Sequence, residues 1–408
     1  MRLDTQDGAV GGGAVTSSVL RHRRGVWAGL ALLLAGMLFF GVFPRLLAWR
    51  LNQQTSSLLP PMIAQSQSLH AKLLVVDLHA ATLLWSRDLL ARAGWGHVDL
   101  PRLTDGNVAL QVFAAVTRLP WRRDGAGGRQ GADLMTPLIL AELWPPETWS
   151  SDLQRALYQA EELKRLVRRA GSRLIAIRNK ADIDRLLLAR SQAQANGLPP
   201  PVGVMLSVNG PGALEDRLGD LDALFDAGFR MAAPPQGFGA RPGQGAAQGL
   251  TPIARQWLAR MEAKGMVVDV AGTPEPVLHQ LLVESRRPVV ASHTGLRGTC
   301  DNSRNLSDDQ ARAIAATGGL IGIGYWRGAV CDVSIEAIVK AIRYAVALVG
   351  VDHVALGSNF DAGVQTPMDP AGLAHLTHGL TAAGFSDDDI AKLAGGNALR
   401  VLRDLLPP

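Results

Sequence analysis

From Lys72 onward, short apolar runs alternate with amphipathic stretches. This alternation predicts an α/β protein, a (β/α)8 TIM-type barrel with insertions, preceded by one N-terminal transmembrane helix. Eight runs read as barrel strands: LLVVDLH (73–79), VALQVFAAV (108–116), VGVMLSVN (202–209), FRMAAP (229–234), MVVDVAG (266–272), PVVASH (288–293), GLIGIGYW (319–326) and HVALGSNF (353–360). Near-continuous apolar runs of this length suit strands buried on both faces. Helical spacing fills most of the gaps between them. LEDRLGDLDALFDAG carries apolar residues at Leu214, Leu218, Leu221, Leu224 and Phe225 and is stopped by Gly228. Ser307 and Ser386 stand where N-caps belong, and Gly318 and Gly350 where helices end.

The third observation is at the N-terminus. GVWAGLALLLAGMLFFGVFP, from Gly25 to Pro44, carries no charge. At about 1.5 Å per residue it covers roughly the 30 Å hydrocarbon core of a bilayer. Arg21, Arg23 and Arg24 precede it, which favours a cytoplasmic N-terminus with the barrel on the periplasmic or extracellular side. The apolar run exceeds the usual h-region and no A-x-A site follows closely, so an uncleaved anchor is favoured over a cleaved signal peptide. The expected organisation is a cytoplasmic tail (1–24), an anchor (25–48), a polar Pro-containing stalk (49–70) and the barrel (71–408).

Two stretches interrupt the barrel pattern. Residues 120–200 hold a Gly-rich loop (DGAGGRQGAD), two helices expected over 149–169 and 181–190, and a strand-like LIAIR. Residues 237–249 are again rich in glycine but lack G-x-x-x-x-G-K-[ST], so they read as a flexible lip. The net charge of +5 comes from basic residues spread along the chain, without a dense tract interleaved with aromatics, which argues against nucleic acid. The only cysteines, Cys300 and Cys331, follow runs expected on neighbouring strands. In an oxidising compartment they either pair or remain two buried thiols.

In a barrel of this kind, chemistry is placed at the strand C-termini. The side chains there are His79 on the first strand, Asn209 on the third, Asp269 and Gly272 on the fifth, His293 on the sixth, and Asn359 and Asp361 on the eighth, with Gln236 after the fourth. His97, His353, His375 and His378 are expected at the surface. No G-x-S-x-G elbow and no Ser-His-Asp or Cys-His order stands out.

VVDLHA, GHVDLPRLTDGNVALQ, FDAGFR, MEAKGMVVDV, SHTGLRGTCDNSRNLSDDQ, ATGGLIGIGYW, VDHVALGSNFD and GGNALRVL occur in one order. On these motifs the chain resembles the membrane dipeptidase (renal dipeptidase-like) family of zinc metallopeptidases, which are amidohydrolase-related barrels. The resemblance implies hydrolysis of dipeptides at a pair of zinc ions. It also implies five ligand positions, of which only His79 and His293 keep a ligand. Ala81 stands at the aspartate of His-x-Asp, Asn209 at the bridging glutamate and Gly272 at a histidine. Gln236 aligns with a substrate-contacting histidine, and Asn359 with the catalytic aspartate of G-S-D-F-D. Arg304 keeps the position of a substrate-binding arginine.

Each change removes a group that binds metal or moves a proton. The expectation is therefore a site where zinc is absent or weakly bound and hydrolysis is lost or altered, with a pocket still shaped for a small peptide-like ligand. The alternative is an active dipeptidase or related amide hydrolase with one ion, held by His79, His293 and either Asp269 or Asp361. For Arg304, a ligand-gripping role stands beside a loop contact to Asp301 or Asp308.

Overall fold

The computed structural model describes residues 26–55, 59, 63–123, 129–209, 217–233 and 249–408. Eight parallel strands form the barrel: β1 Val75–Ala80, β2 Val108–Val116, β3 Val202–Asn209, β4 Phe229–Ala232, β5 Val267–Val268, β6 Val290–Thr294, β7 Leu320–Ile323 and β8 Val354–Leu356. The ladder runs β5-β4-β3-β2-β1-β8-β7-β6. A single parallel bridge between Asp269 and Val290 joins its two ends, and the Val270 amide donates to the Val290 carbonyl at 2.8 Å.

The second and third strands follow the apolar runs residue for residue, because both are paired along their whole length. The fifth and eighth are shorter than expected. Their runs continue past the ladder into loops that are buried without being paired as strand. Asn359 and Asp361 therefore do not end the eighth strand. They sit in the loop beyond β8 with left-handed backbone, at φ 61° and 59°.

The expected strand-like LIAIR is a short strand, Leu174–Ala176, paired parallel to the start of β3. Helices Asp152–Ala170 and Lys180–Ala195 flank it. The Gly-rich stretch holds an antiparallel hairpin instead of loop alone, pairing Pro120–Arg123 with Arg129–Asp133. Residues 237–248 of the expected lip lie outside the described residues, as does Gln236. Ser307 caps helix Asp308–Ala316 with a full capping box, and Ser386 caps Asp387–Ala391 through the Asp389 amide. The C-terminal helix Asn397–Leu405 closes a cluster with Val76, Leu110, Met205, Val290 and Ala355 from five barrel strands.

An apolar helix, Val26–Leu51, precedes the barrel and is long enough to cross a membrane. It does not stop at Pro44. Proline has no N–H to donate, and a π-helical turn at Leu38–Val42 leads into it. Pro44 and Ala48 are buried, and Ala48 packs with Leu84, Trp85, Met135 and Ile139. The stretch expected as a stalk is partly built into the fold. Helix Ala64–His70 packs on helix Leu373–Ala382, and the His70 ring bonds to Thr377 Oγ1 at 2.8 Å and the Gly106 carbonyl at 3.0 Å. Cys300 and Cys331 form a disulfide.

Candidate functional site

β1 and β6 bring His79 and His293 together at the C-terminal mouth of the barrel. Their rings stack with centroids 3.7 Å apart. Asp269, just beyond β5, joins them: one ligand atom from each of the three residues lies within 4.8 Å of the others. All three side chains are buried. Among the described residues this is the one group of three His, Cys, Asp or Glu side chains close enough to share an ion.

The Asp269 carboxylate is held in place. It accepts from Ser292 Oγ at 2.6 Å, the Ser292 amide at 3.0 Å and the Ala271 amide at 3.0 Å. Burial pushes its carboxyl above the usual range, while these donors and the nearby Arg304 charge pull the other way. Ser292 Oγ also lies 2.8 Å from His293 Nδ1. The serine proton is given to Asp269, so Nδ1–H of His293 donates to the hydroxyl. Nε2 is then the nitrogen with a lone pair to offer.

Asp77, two residues before His79, is not part of that group. It accepts from Ser358 Oγ at 2.6 Å, the Ser358 amide at 2.8 Å and Gln111 Nε2 at 2.8 Å. It thereby ties β1 to β2 and to the loop after β8. Burial pushes its carboxyl up to about 6 against those hydrogen bonds.

The substituted positions are equally specific. Ala81 is fully buried and its amide donates to the Phe360 carbonyl at 2.8 Å. Asn209 is the last residue of β3, opposite Val116. Gly272 is exposed, with φ 71° and nothing within 4 Å of where a Cβ would stand. Among the described residues a Cβ would meet nothing, but the backbone is one that side chains rarely adopt. Asn359 is buried and its amide donates to the His79 carbonyl at 3.0 Å.

Arg304 lies on the loop after β6. Its guanidinium stacks over the Trp326 ring at 4.5 Å, and both terminal nitrogens are 3.5 Å from the His293 carbonyl. Asp308, one of its expected loop partners, instead accepts from the Tyr344 hydroxyl at 2.8 Å. Trp326, 5.9 Å from the His293 ring, was a strand-end residue in sequence and gave no sign of this role.

Asp361 is not part of the triplet either. Its carboxylate accepts from Arg87 Nη2 at 2.6 Å, Thr82 Oγ1 at 2.9 Å and the amides of His97 and Val98 at 2.6 and 3.1 Å. Burial alone would raise this carboxyl, but the Arg87 charge and the His97 contacts outweigh it and hold it far below the usual range. His97, expected at the surface, is fully buried. Its Nδ1 accepts from the Asp361 amide at 3.0 Å, which leaves Nε2–H to donate to the Gln53 carbonyl at 3.2 Å.

The residues present therefore do not fit a two-zinc centre. Ala81 and Gly272 offer no donor, and Asn209 has no charge with which to bridge two cations. His79, Asp269 and His293 are the residues that would hold a single ion.

Fold and site define a (β/α)8 barrel whose C-terminal mouth groups two histidines and an aspartate close enough to share an ion. Residues 63–406 match the model of the membrane dipeptidase family (peptidase family M19), and the chain belongs to that family. An uncharacterised Klebsiella pneumoniae protein from the region 5′ of pqqA is 30% identical over 263 residues, covering 60% of this chain and 93% of that one. Dipeptidase 3 of Macaca fascicularis is 26% identical over 161 residues, 38% of this chain and only 33% of its own length. Among solved structures, the probable dipeptidase PvdM of Pseudomonas aeruginosa superposes with TM-score 0.68 at 22% identity, over 84% of this chain and 97% of that one. A Rhodobacter sphaeroides metallopeptidase, solved with a phosphinate mimic of L-Ala-D-Ala, gives 0.66 at 23% identity, over 82% and 99%. At these identities the superpositions establish the fold.

Proposed function

We propose that this protein is a membrane-anchored, exported member of the dipeptidase family that has lost two-metal hydrolysis and binds a small peptide-like ligand at the barrel mouth. The observation that carries this reading is the replacement of three ligand positions by Ala81, Asn209 and Gly272, together with Asn359 in place of the catalytic aspartate. Without a bridging carboxylate there is no pair of ions to generate a hydroxide nucleophile. The Arg304 guanidinium stacked over Trp326 supports a bidentate grip on a ligand carboxylate. A ligand of that chemistry is in keeping with the dipeptide mimic in the R. sphaeroides relative. The apolar helix Val26–Leu51 supplies the anchor, with the barrel on the periplasmic or extracellular side.

The compact triplet of His79, Asp269 and His293 favours a second reading, a one-ion amide hydrolase. A bound ion would polarise a ligand carbonyl or water there. His79, Asp269 and His293 would hold it, and Arg304 would orient the ligand.

Zinc content and dipeptide turnover of the purified full-length chain separate the two. Binding of dipeptides that is lost in Arg304→Ala, without turnover in added zinc, supports the first. One ion per chain with turnover, lost in His293→Ala, supports the second. About two ions per chain with turnover would overturn both.

A further inference from the structure

We propose that the mouth of the barrel is seated on the phospholipid surface, with the segment 134–149 as a membrane-contacting element. This rests on the anchor reading above and goes beyond it. An anchor alone would leave the barrel free to tumble on a tether.

The junction between helix and barrel is not a tether. Asn52 Nδ2 donates to the Ala48 carbonyl at 3.1 Å and its Oδ1 accepts from the Gly363 amide at 2.8 Å. The Gln53 carbonyl accepts from the Thr366 amide at 3.1 Å and from His97, while the Thr55 amide donates to the Thr366 carbonyl at 3.0 Å. The loop gripped in this way carries Asp361 and follows β8, so it belongs to the C-terminal face of the barrel. The twenty uncharged residues to Pro44 already span roughly the 30 Å hydrocarbon core. Burial against the barrel begins at that same Pro44 and continues at Ala48, one turn further on. The mouth is thus held within about one helical turn of the headgroups.

The surface around the junction suits that position. Helix Met135–Ala141 (MTPLILA) packs along both the π-turn Leu38–Val42 and helix Phe43–Leu51. Beyond it Leu143 is 75% exposed on a left-handed backbone (φ 56°), and Trp149 is 44% exposed. On the membrane helix Leu46 and Trp49 are 54% and 51% exposed. Two tryptophans with leucines, beside Arg45 and Arg50, are the side chains that settle at a membrane interface. Leu143 sets an exposed apolar side chain, on a backbone that leucine rarely adopts, next to Trp144 of the packed cluster. The buried cluster that joins Ala48 of the membrane helix to Met135 and Ile139 also holds Leu84 and Trp85, three and four residues past Ala81, so the junction borders the site itself.

The test uses the full-length chain in vesicles containing brominated phospholipid. Leu143→Cys, Leu33→Cys and Val283→Cys are each labelled with an environment-sensitive fluorophore; the native cysteines are already paired. Val283, 74% exposed on helix Glu275–Glu284, is the control far in sequence from the junction. The expected result is about a two-fold loss of fluorescence at positions 33 and 143 and none at 283. Quenching at 33 with position 143 as open to aqueous iodide as 283 overturns the proposal and leaves the anchor standing. No lipid quenching at 33 overturns the anchor and the proposal with it.

Discussion

Asp361→Asn tests whether the aspartate after β8 is structural, as the geometry states, or a metal ligand. The substitution keeps the shape and removes the charge. It leaves Arg87, whose side chain is 4% exposed, facing a neutral amide. Breaking one partner of a buried ion pair costs about 3–5 kcal/mol. Arg87 keeps two other acceptors, the carbonyls of Trp95 and Val98 at 2.6 Å each, which places the cost near the lower end. For a domain of about 340 residues the unfolding entropy is ~0.7 kcal/mol per degree, so the melting temperature should fall by about 4–6 °C. The pH dependence has a definite sign. The folded carboxyl lies below its unfolded value of about 3.9, so its stabilisation is present above that pH and is lost as pH falls further. The wild type should lose stability below about pH 4 more steeply than Asp361→Asn. Thermal melts across that range, with zinc titration of the same variant, make the measurement. A variant that melts within a degree of wild type, or loses metal as fully as His79→Ala, would refute the assignment.

Three further outcomes are expected. Burial pushes Glu142 up to about 7 against hydrogen bonds from Ser86 and Trp144, so the native state holds a proton that the unfolded chain has lost between pH 4.5 and 7. Stability should fall across that window as pH rises, by at most ~3 kcal/mol, and Glu142→Gln should flatten the curve and raise the melting temperature at pH 8. The Cys300–Cys331 bridge spans 31 residues, so Cys300→Ser with Cys331→Ser should cost about 3–4 kcal/mol by loop closure, read in urea unfolding; no change in midpoint would deny the bridge a role in stability. Ala81→Asp, Asn209→Glu and Asn359→Asp together should raise zinc affinity over wild type by isothermal titration, whereas adding Gly272→His should lower the melting temperature, because φ 71° strains any side chain there by about 1–2 kcal/mol.

What could be read from sequence follows physical cause. Long strands paired along their whole length, Val108–Val116 and Val202–Asn209, announce themselves as unbroken apolar runs. The runs around Asp269 and Asn359 were read too long because the barrel mouth buries loop residues as deeply as strand residues. The hairpin at Pro120–Arg123 and Arg129–Asp133 gave no alternation to detect, being rich in arginine and glycine. The His97, Arg87 and Asp361 hub joins positions more than 260 residues apart through charge, which no periodicity reports. Within the site, His79 and His293 were legible as strand-end histidines. That Asp269 and not Asp361 completes the triplet was decided by backbone geometry alone.

Charge argues for the number of ions this site can hold. Two divalent ions bring four positive charges, and Asp269 is the only carboxylate in the triplet. Three charges would remain in a buried setting where an unpaired charge is costly. One divalent ion with Asp269 leaves a single positive charge, which one ligand carboxylate cancels. With no ion, the carboxylate meets Arg304 instead, next to the His293 carbonyl. Counting Arg304 as well, the mouth carries two positive charges with one ion and favours an anionic ligand, whereas with no ion Asp269 and Arg304 cancel. What separates a binding protein from a one-ion hydrolase is then whether the imidazoles of His79 and His293 gain more from the ion than from their mutual stacking at 3.7 Å. Zinc titration of the wild type against His79→Ala and His293→Ala shows whether the two imidazoles hold an ion at all.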